Sequence, residues 1–141
     1  MNKVWLLIRG AMAFLFAFLV GTNFVVDKAM ATGQFSFSCD KDNIQINGSI
    51  LSTSCKKNNG DLQPTSIDLN KYIGNSNGTL SWNDTNFSKT CKNIAPAQLL
   101  STRQLILVAD CQLAAGGDKY YPSELELDAH IANTDGTLKY E

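Results

Sequence analysis

The sequence predicts an all-β domain that is held together by disulfide bridges. Short runs such as residues 66–70 and 124–128 alternate apolar with polar side chains, which is the period of a strand with one buried face. Asn77-Gly78 and Asp135-Gly136 each separate two strand-like runs, the pattern typical of a tight β-hairpin. The chain also has four cysteines. Each half of the domain has one alternating run, one such hairpin pair and two of the cysteines, which indicates an internal repeat.

The first 31 residues are predicted to be a signal peptide. Lys3 and Arg9 precede an apolar run at 11–20, and Ala-Met-Ala at 29–31 has the small residues of a cleavage site. An uncleaved membrane anchor is the alternative, because residues 24–26 extend the apolar run towards the length of a membrane span. The rest of the chain is therefore expected to be exported, either secreted or periplasmic, with membrane anchoring as the second choice.

Residues 32–141 are predicted to form one compact domain, since about 110 residues suffice for one core and are too few for two. They carry nine Lys and Arg against twelve Asp and Glu, a formal net charge of −3. Because Lys56-Lys57 is an isolated pair and no basic stripe exists in the sequence, we expect no nucleic-acid partner. With no Cys-x-x-Cys pair and a single histidine, the sequence predicts no metal site.

The domain divides into two repeats, residues 33–86 and 87–141. The matching segments are 35–39 with 87–91, 67–70 with 125–128, and 73–82 with 131–140. Four cysteines in an exported chain permit three disulfide pairings. Because equivalent halves should close equivalent loops, the repeat favours Cys39–Cys55 and Cys91–Cys111.

We predict about five strands in each repeat. They include residues 49–54 and 66–70 in the first repeat and 104–109 and 124–128 in the second. Helical structure is expected only as short turns near residues 69–73, 85–90 and 127–131.

The C-terminal segment, residues 127–141, resembles the C-terminus of the cyanovirin-N family almost word for word. The likeness continues through 48–51, 66–70, 86–87 and 90–93, and it covers residues 33–141. All four cysteines match, and insertions follow Cys39 and Cys111 and lie between Cys91 and Cys111. The resemblance implies two pseudo-symmetric halves, each a three-stranded sheet plus a hairpin, with strands exchanged between the tandem repeats.

The resemblance also implies a function. A member of this family would be a mannose-binding lectin and not an enzyme, and it would need no cofactor. Its partners would be high-mannose oligosaccharides and glycoproteins, recognised through α1,2-linked mannose termini at two sites, with an antiviral effect through glycoprotein binding. The rival hypothesis is a structural or protein-interaction module that keeps the scaffold but has lost its sugar sites.

The family's two sites map onto three segments each, and each site combines residues of both repeats. Site 1 is predicted to consist of Gln34, Phe37, Ser38, Lys56, Asn58, Asn59, Asn133, Thr134 and Asp135. Site 2 is predicted to consist of Asn75, Ser76, Asn77, Asn86, Lys89, Thr90, Gln112, Leu113 and Ala114.

Site 1 is expected to bind sugar more tightly than site 2. Asn133 and Asp135 lie two positions apart on a tight hairpin, so an amide and a carboxylate can bridge neighbouring sugar hydroxyls. The alternative is that both side chains only stabilise the turn. Site 2 has Asn77 in place of the carboxylate, and the segment after Cys111 becomes apolar. In addition, Gly74 and Lys89 stand where acids are common in the family.

Three residues invite other interpretations. His130, near Asp128 and Asp135 in sequence, is the one candidate for acid–base chemistry, and we interpret it as a buried or capping residue. Trp82 and Tyr140 occupy equivalent repeat positions, and we expect both to belong to the core rather than to stack on sugars.

The chain is expected to be mostly monomeric, with a domain-swapped dimer as the alternative.

Overall fold

The computed structural model describes residues 33–141, so the signal-peptide and anchor hypotheses for residues 1–31 lie outside the described part. Within residues 33–141 the chain forms ten strands, five in each repeat, which confirms the predicted number. The strands are β1 Gln45–Asn47, β2 Ile50–Lys56, β3 Leu62–Asp68, β4 Ile73–Ser76, β5 Thr79–Trp82, β6 Cys91–Gln98, β7 Leu105–Gln112, β8 Tyr120–Glu126, β9 Ile131–Thr134 and β10 Thr137–Tyr140.

Each repeat contributes one antiparallel three-stranded sheet and one hairpin. The sheets have the orders β1-β2-β3 and β6-β7-β8, and the hairpins are β4-β5 and β9-β10. Asn77-Gly78 and Asp135-Gly136 form the two-residue hairpin loops, and all four residues have positive φ, between 49° and 89°. Both hairpins therefore have the backbone that Asn-Gly and Asp-Gly favour.

The hairpin of each repeat packs against the sheet of the other repeat. Hairpin β9-β10 lies against β3, where the backbone N–H of Leu138 donates to the Thr65 hydroxyl at 3.0 Å. Hairpin β4-β5 lies against β8, where the N–H of Leu80 donates to the Ser123 hydroxyl at 2.9 Å. The strand exchange that the resemblance implies is thus present within one chain.

The core lies between the sheets and the exchanged hairpins. It is built from fully buried aliphatic and aromatic side chains, namely Phe35, Leu51, Leu69, Ile73, Phe87, Leu107, Leu127 and Ile131. Both predicted disulfides, Cys39–Cys55 and Cys91–Cys111, are formed beside this core and join residues 16 and 20 positions apart. In the chain-entropy model, closing a loop of that length contributes on the order of 3 kcal/mol to stability.

Helical structure in this part of the chain is limited to single 3₁₀ turns, none long enough to cross a membrane. They are Phe35–Phe37, Lys41–Asn43, Leu69–Lys71, Phe87–Lys89 and Leu127–Ala129. The last three match the predicted turns. The turns at Phe35–Phe37 and Lys41–Asn43 were not predicted. The Asp40 carboxylate caps the turn at Lys41–Asn43 by accepting from the N–H of Asp42 and the side chain of Asn43.

The predicted bounds of β3 and β8 were wrong at both ends. Both strands stop where the turns at Leu69 and Leu127 begin, and both start earlier, running through Pro64 and Pro122. Proline lacks the N–H that a central strand needs. Because β3 and β8 each pair on one side only, proline is tolerated there.

Trp82 and Tyr140 pack half-buried against the core, as predicted. Tyr140 stacks on Tyr72 with ring centroids 4.4 Å apart, and Trp82 meets His130 edge-on at 4.9 Å. His130 is half-buried, and its Nδ1 lies 2.6 Å from the backbone oxygen of Glu141. This contact holds the residue that follows β10, which is the kind of contact that the predicted capping role requires.

A buried carboxylate joins the first turn of the domain to the second repeat. Asp128 is 1% exposed, and its Oδ1 accepts from the N–H of Ser36 at 2.9 Å. Its Oδ2 accepts from the Ser36 hydroxyl at 2.6 Å and from the N–H of Leu105 at 2.7 Å. At the equivalent position, the amide of Asn70 exchanges two hydrogen bonds with Ser88.

We expect Asp128→Asn to lower the free energy of unfolding by about 2 kcal/mol, because the buried N–H of Leu105 would then face an amide NH₂ and lose its acceptor. Denaturant titration of the oxidised protein measures this. The reciprocal Asn70→Asp is the control. It should change stability by less than about 1 kcal/mol, since a carboxylate can accept from both donors of Ser88. Equal losses in the two variants would contradict the assignment.

Candidate functional site

Three chain segments meet at the tip of hairpin β9-β10, and the side chain of Asn133 holds them together. Its Nδ2 donates to the Ser38 hydroxyl and to the carbonyl oxygen of Lys56, both at 2.9 Å. Its Oδ1 accepts from the N–H of Gly136 at 2.8 Å, within the hairpin loop. Both amide protons are used inside the protein, so Asn133 acts as a clamp between the first turn, the loop after Cys55 and the hairpin.

Asp135 presents a carboxylate at the same tip. Its Oδ1 accepts from the backbone N–H of Asn58 at 2.8 Å, which fixes the side chain across the junction of the two repeats. Within residues 33–141, no protein group donates to its other oxygen, Oδ2. The residue is exposed, so this oxygen is free to accept hydrogen bonds from a ligand.

The remaining residues predicted for site 1 surround this tip. Gln34 precedes the first turn with a φ of 61°, and Phe37 ends that turn with 55% of its surface exposed. The side chain of Asn59 accepts from the N–H of Asp61, so it stabilises the loop that follows Cys55. Thr134 is exposed on the hairpin itself. Hydrogen bonds thus join the three predicted segments into one continuous surface.

Hairpin β4-β5 carries a second tip with the same clamp. The Nδ2 of Asn75 donates to the Thr90 hydroxyl at 3.0 Å and to the carbonyl oxygen of Gln112 at 2.8 Å. Its Oδ1 accepts from the N–H of Gly78 at 2.8 Å. Asn77 takes the position of Asp135, and its Oδ1 accepts from the N–H of Ala114 at 2.9 Å.

The other residues predicted for site 2 lie around this second tip. Ser76, Asn86 and Lys89 are exposed, and Asn86 has a φ of 67°, matching Gln34 in site 1. Leu113 is half-buried and fills the space beside Gly78, where a Cβ would come within 2.9 Å of its Cδ2.

The two tips share a geometry but differ in chemistry. Site 1 has a carboxylate at Asp135 where site 2 has an uncharged amide. The exposed side chains beside these positions are Asn58 in site 1 and Ala114 in site 2. Site 1 therefore presents more acceptors and one negative charge, whereas site 2 presents the free NH₂ of Asn77.

One supporting residue was not predicted from the sequence. The Nε2 of Gln63 donates to the carbonyl oxygen of Gly136 at 3.1 Å and approaches the Thr137 hydroxyl at 3.3 Å. It thereby holds the hairpin loop of site 1 from the side of β3. The repeat places Tyr121 at the equivalent position of site 2, so a phenol replaces the amide there. This difference between Gln63 and Tyr121 in otherwise matching repeats is the sequence feature that could have identified Gln63.

Most residues of both sites are exposed. A cavity of about 290 Å³ lies against β7 and β8, lined by Asn93, Asp110 and Glu124 among others, and it shares no residue with either site. Both sites are shallow polar surfaces on rigid turns. Such surfaces suit a ligand that offers many hydroxyl groups at its end, and they lack the enclosed nucleophile and base of a hydrolase.

The fold and the two tips define a class of protein, a pseudo-symmetric all-β domain with two polar sites. A sequence model described as the CVNH domain matches residues 35–139. The chain therefore belongs to the CVNH family, whose members are carbohydrate-binding lectins and not enzymes.

Solved structures agree with this assignment. The NMR structure of the CVNH protein of Gibberella zeae is 31% identical, with a TM-score of 0.67, and the match covers 77% of this chain and 98% of that one. Microvirin, solved as a complex with mannobiose, is 29% identical, with a TM-score of 0.66 and coverage of 78% and 100%. A MoCVNH3 variant solved with (N-GlcNAc)4 is 20% identical, with a TM-score of 0.64 and coverage of 77% and 97%, and it supports the fold alone.

We expect Asn133→Ala to loosen the first tip without unfolding the domain. The N–H of Gly136 would lose its acceptor, and its protection from hydrogen exchange should fall about tenfold, as expected for one hydrogen bond of roughly 1.4 kcal/mol. Exchange measured by NMR provides the test. Asn75→Ala is the matched control, and it should affect Gly78 while leaving Gly136 protected. Unchanged protection of Gly136 in Asn133→Ala would rule out the clamp.

Proposed function

We propose that this protein is a mannose-binding lectin that recognises α1,2-linked mannose termini of high-mannose glycans, chiefly through site 1. The observation that carries the proposal is the carboxylate of Asp135, which is fixed through one oxygen and free at the other. Vicinal sugar hydroxyls both donate and accept, so a fixed acceptor beside exposed amides and backbone groups is the chemistry that they require. The mannobiose complex of microvirin, a relative at 29% identity, supports mannose as the sugar.

Preorganisation contributes to this proposal. The side chain of Asp135 is already held by the N–H of Asn58, and the loop that carries it is clamped by Asn133 and Gln63. A ligand would therefore not have to order the hairpin loop on binding, which reduces the entropic cost of association. Each hydrogen bond to the carboxylate is charge-assisted and contributes about 1.5–3 kcal/mol.

Asn133 has a positioning role in this proposal. The hypothesis that its amide bridges sugar hydroxyls stays a prediction, and the geometry supports the alternative that the amide stabilises the turn. Asp135 retains a free acceptor and is the residue on which recognition would depend.

Site 2 is proposed as the weaker site. It keeps the clamp but lacks the carboxylate, and Ala114 replaces the polar side chain of Asn58. If both sites bind, the two arms of a branched glycan could engage one molecule and gain avidity, provided that the branches span the distance between the sites. A monomer is the unit that we propose.

Export is the setting that we propose for this lectin. Two disulfides form and persist in oxidising compartments, so they support a secreted or periplasmic location. Binding to high-mannose glycoproteins, and an antiviral effect where such glycans coat a virus, would follow from the same specificity.

We expect Asp135→Asn to weaken the binding of α1,2-mannobiose at site 1 by a factor of ten or more, because the charge-assisted hydrogen bond is lost while the bond from Asn58 can remain. NMR titration separates the two sites and gives an affinity for each. The reciprocal Asn77→Asp is the control, and it should strengthen binding at site 2.

Two results would count against the proposal. Undiminished binding by Asp135→Asn would show that the wrong residue has been chosen. Failure of the parent protein to bind any mannose-terminated glycan on an array would favour the rival hypothesis of a structural or protein-interaction module.

A further inference from the structure

An aromatic ring stands exposed at the edge of site 1. Phe37 is 55% exposed, although it lies between two residues that are tied into the protein. Ser36 is fully buried and bonded to Asp128, and the Ser38 hydroxyl accepts from Asn133. Phe35, in the same turn, is fully buried and already supplies the core contact. The exposed ring of Phe37 therefore adds no core contact, and it offers a flat apolar face beside the polar groups of site 1.

The turn that carries this ring is rigid. The N–H of Phe37 donates to the carbonyl oxygen of Gln34 at 3.3 Å, and the N–H of Ser38 donates to that of Phe35 at 3.1 Å. In addition, the carbonyl of Ser38 accepts from the N–H of Lys56 at 2.9 Å, which ties the turn to the loop after Cys55. A ring on such a fixed support can bind a ligand without a large loss of backbone entropy.

One face of the ring is already covered. The Nζ of Lys41 lies 4.8 Å from the centroid of the Phe37 ring, within the range of a cation–π contact. A ligand would therefore meet the opposite face. Lys41 is the first residue of the turn Lys41–Asn43, which Asp40 caps, so the cation too is held near the ring by local structure.

Site 2 has no such ring. The repeat places Lys89 at the position of Phe37, at the end of the equivalent turn Phe87–Lys89. Lys89 is exposed and charged, and it offers no flat apolar surface. The two sites can therefore be compared within one chain. They share the same clamp geometry, and site 1 has an aromatic ring where site 2 has Lys89.

We infer that Phe37 is a stacking platform for the apolar C–H face of a pyranose ring in site 1. The inference rests on the proposed function and adds to it a second contact. Asp135 binds the hydroxyls of one sugar, and Phe37 packs against the neighbouring ring of the same oligosaccharide. Site 1 therefore selects oligosaccharides of two or more residues over a single mannose, and site 2 does not gain this preference.

The test compares α1,2-mannobiose with methyl α-mannoside in NMR titrations of the parent protein and of Phe37→Ala, Phe37→Tyr and Phe37→Lys. Phe37→Ala and Phe37→Lys should weaken mannobiose binding at site 1 roughly three- to tenfold, the size of an aromatic packing contact. Binding of methyl α-mannoside should change less than about twofold. Phe37→Tyr keeps the ring and should bind as the parent does.

A spectroscopic signature separates stacking from a structural effect. Sugar C–H protons that lie over an aromatic face shift upfield, so the parent and Phe37→Tyr should shift the same mannobiose protons, and Phe37→Ala should not. The reciprocal Lys89→Phe should produce new upfield shifts at site 2. A ¹H–¹⁵N spectrum of each variant checks that the fold is kept.

Failure of the inference is distinguishable from failure of the proposed function. If Phe37→Lys and Phe37→Tyr bind mannobiose equally well while Asp135→Asn loses binding, the function stands and the platform is wrong. Absence of upfield shifts in the parent overturns the platform as well. If the parent binds neither sugar at millimolar concentration, both the function and the platform fall.

Discussion

The structure depends on one constraint, which is that neither repeat can cover its own sheet. The inner face of β1-β2-β3 is covered by the hairpin of the second repeat, and the inner face of β6-β7-β8 by the hairpin of the first. Leu138 and Leu80, both nearly fully buried, pack at these junctions, and their N–H groups donate to the hydroxyls of Thr65 and Ser123. Because of this exchange, each of the two tips must combine residues from both halves of the chain, so the fold and the candidate sites form together.

The buried carboxylate of Asp128 extends the same constraint to the first turn of the domain. Through Ser36 it fixes the segment that carries Phe37 and Ser38, and through Leu105 it reaches the start of β7. An isolated buried carboxylate would be destabilising, and three hydrogen bonds offset that cost. The side chain of the equivalent Asn70 bonds to Ser88 alone among the described residues, so the two halves are not tied equally. Two parts of the second repeat therefore support the first site. Asn133 of hairpin β9-β10 bonds to Ser38, and Asp128 bonds to Ser36.

Much of this could be predicted from the sequence, and the failures have physical reasons. The repeat predicted both disulfides, and the Asn-Gly and Asp-Gly pairs predicted both hairpins, because these depend on local geometry or on internal symmetry. The role of Asn133 was harder, because its partners Ser38 and Lys56 lie 95 and 77 positions away. The sequence is the same whether a polar side chain on a hairpin tip contacts a ligand or bonds within the protein, so it does not distinguish the two roles. The early starts of β3 and β8 were hard to predict for a different reason, since Pro64 and Pro122 argue against a strand until the strand is known to lie at an edge.

The comparison of the two tips separates residues that build a site from residues that select its ligand. Asn133 and Asn75 each make the same three hydrogen bonds, and Gly136 and Gly78 are both buried where a Cβ has no room. These positions are constrained by the fold, because a change at any of them breaks contacts between the repeats. The exposed positions that differ between the tips are chiefly Asp135 against Asn77 and Phe37 against Lys89. A change there can keep the contact between the repeats, since Asn77 accepts from Ala114 as Asp135 accepts from Asn58. A duplicated chain of this kind can therefore change the specificity of one site while the other keeps its own, without altering the fold that both sites share.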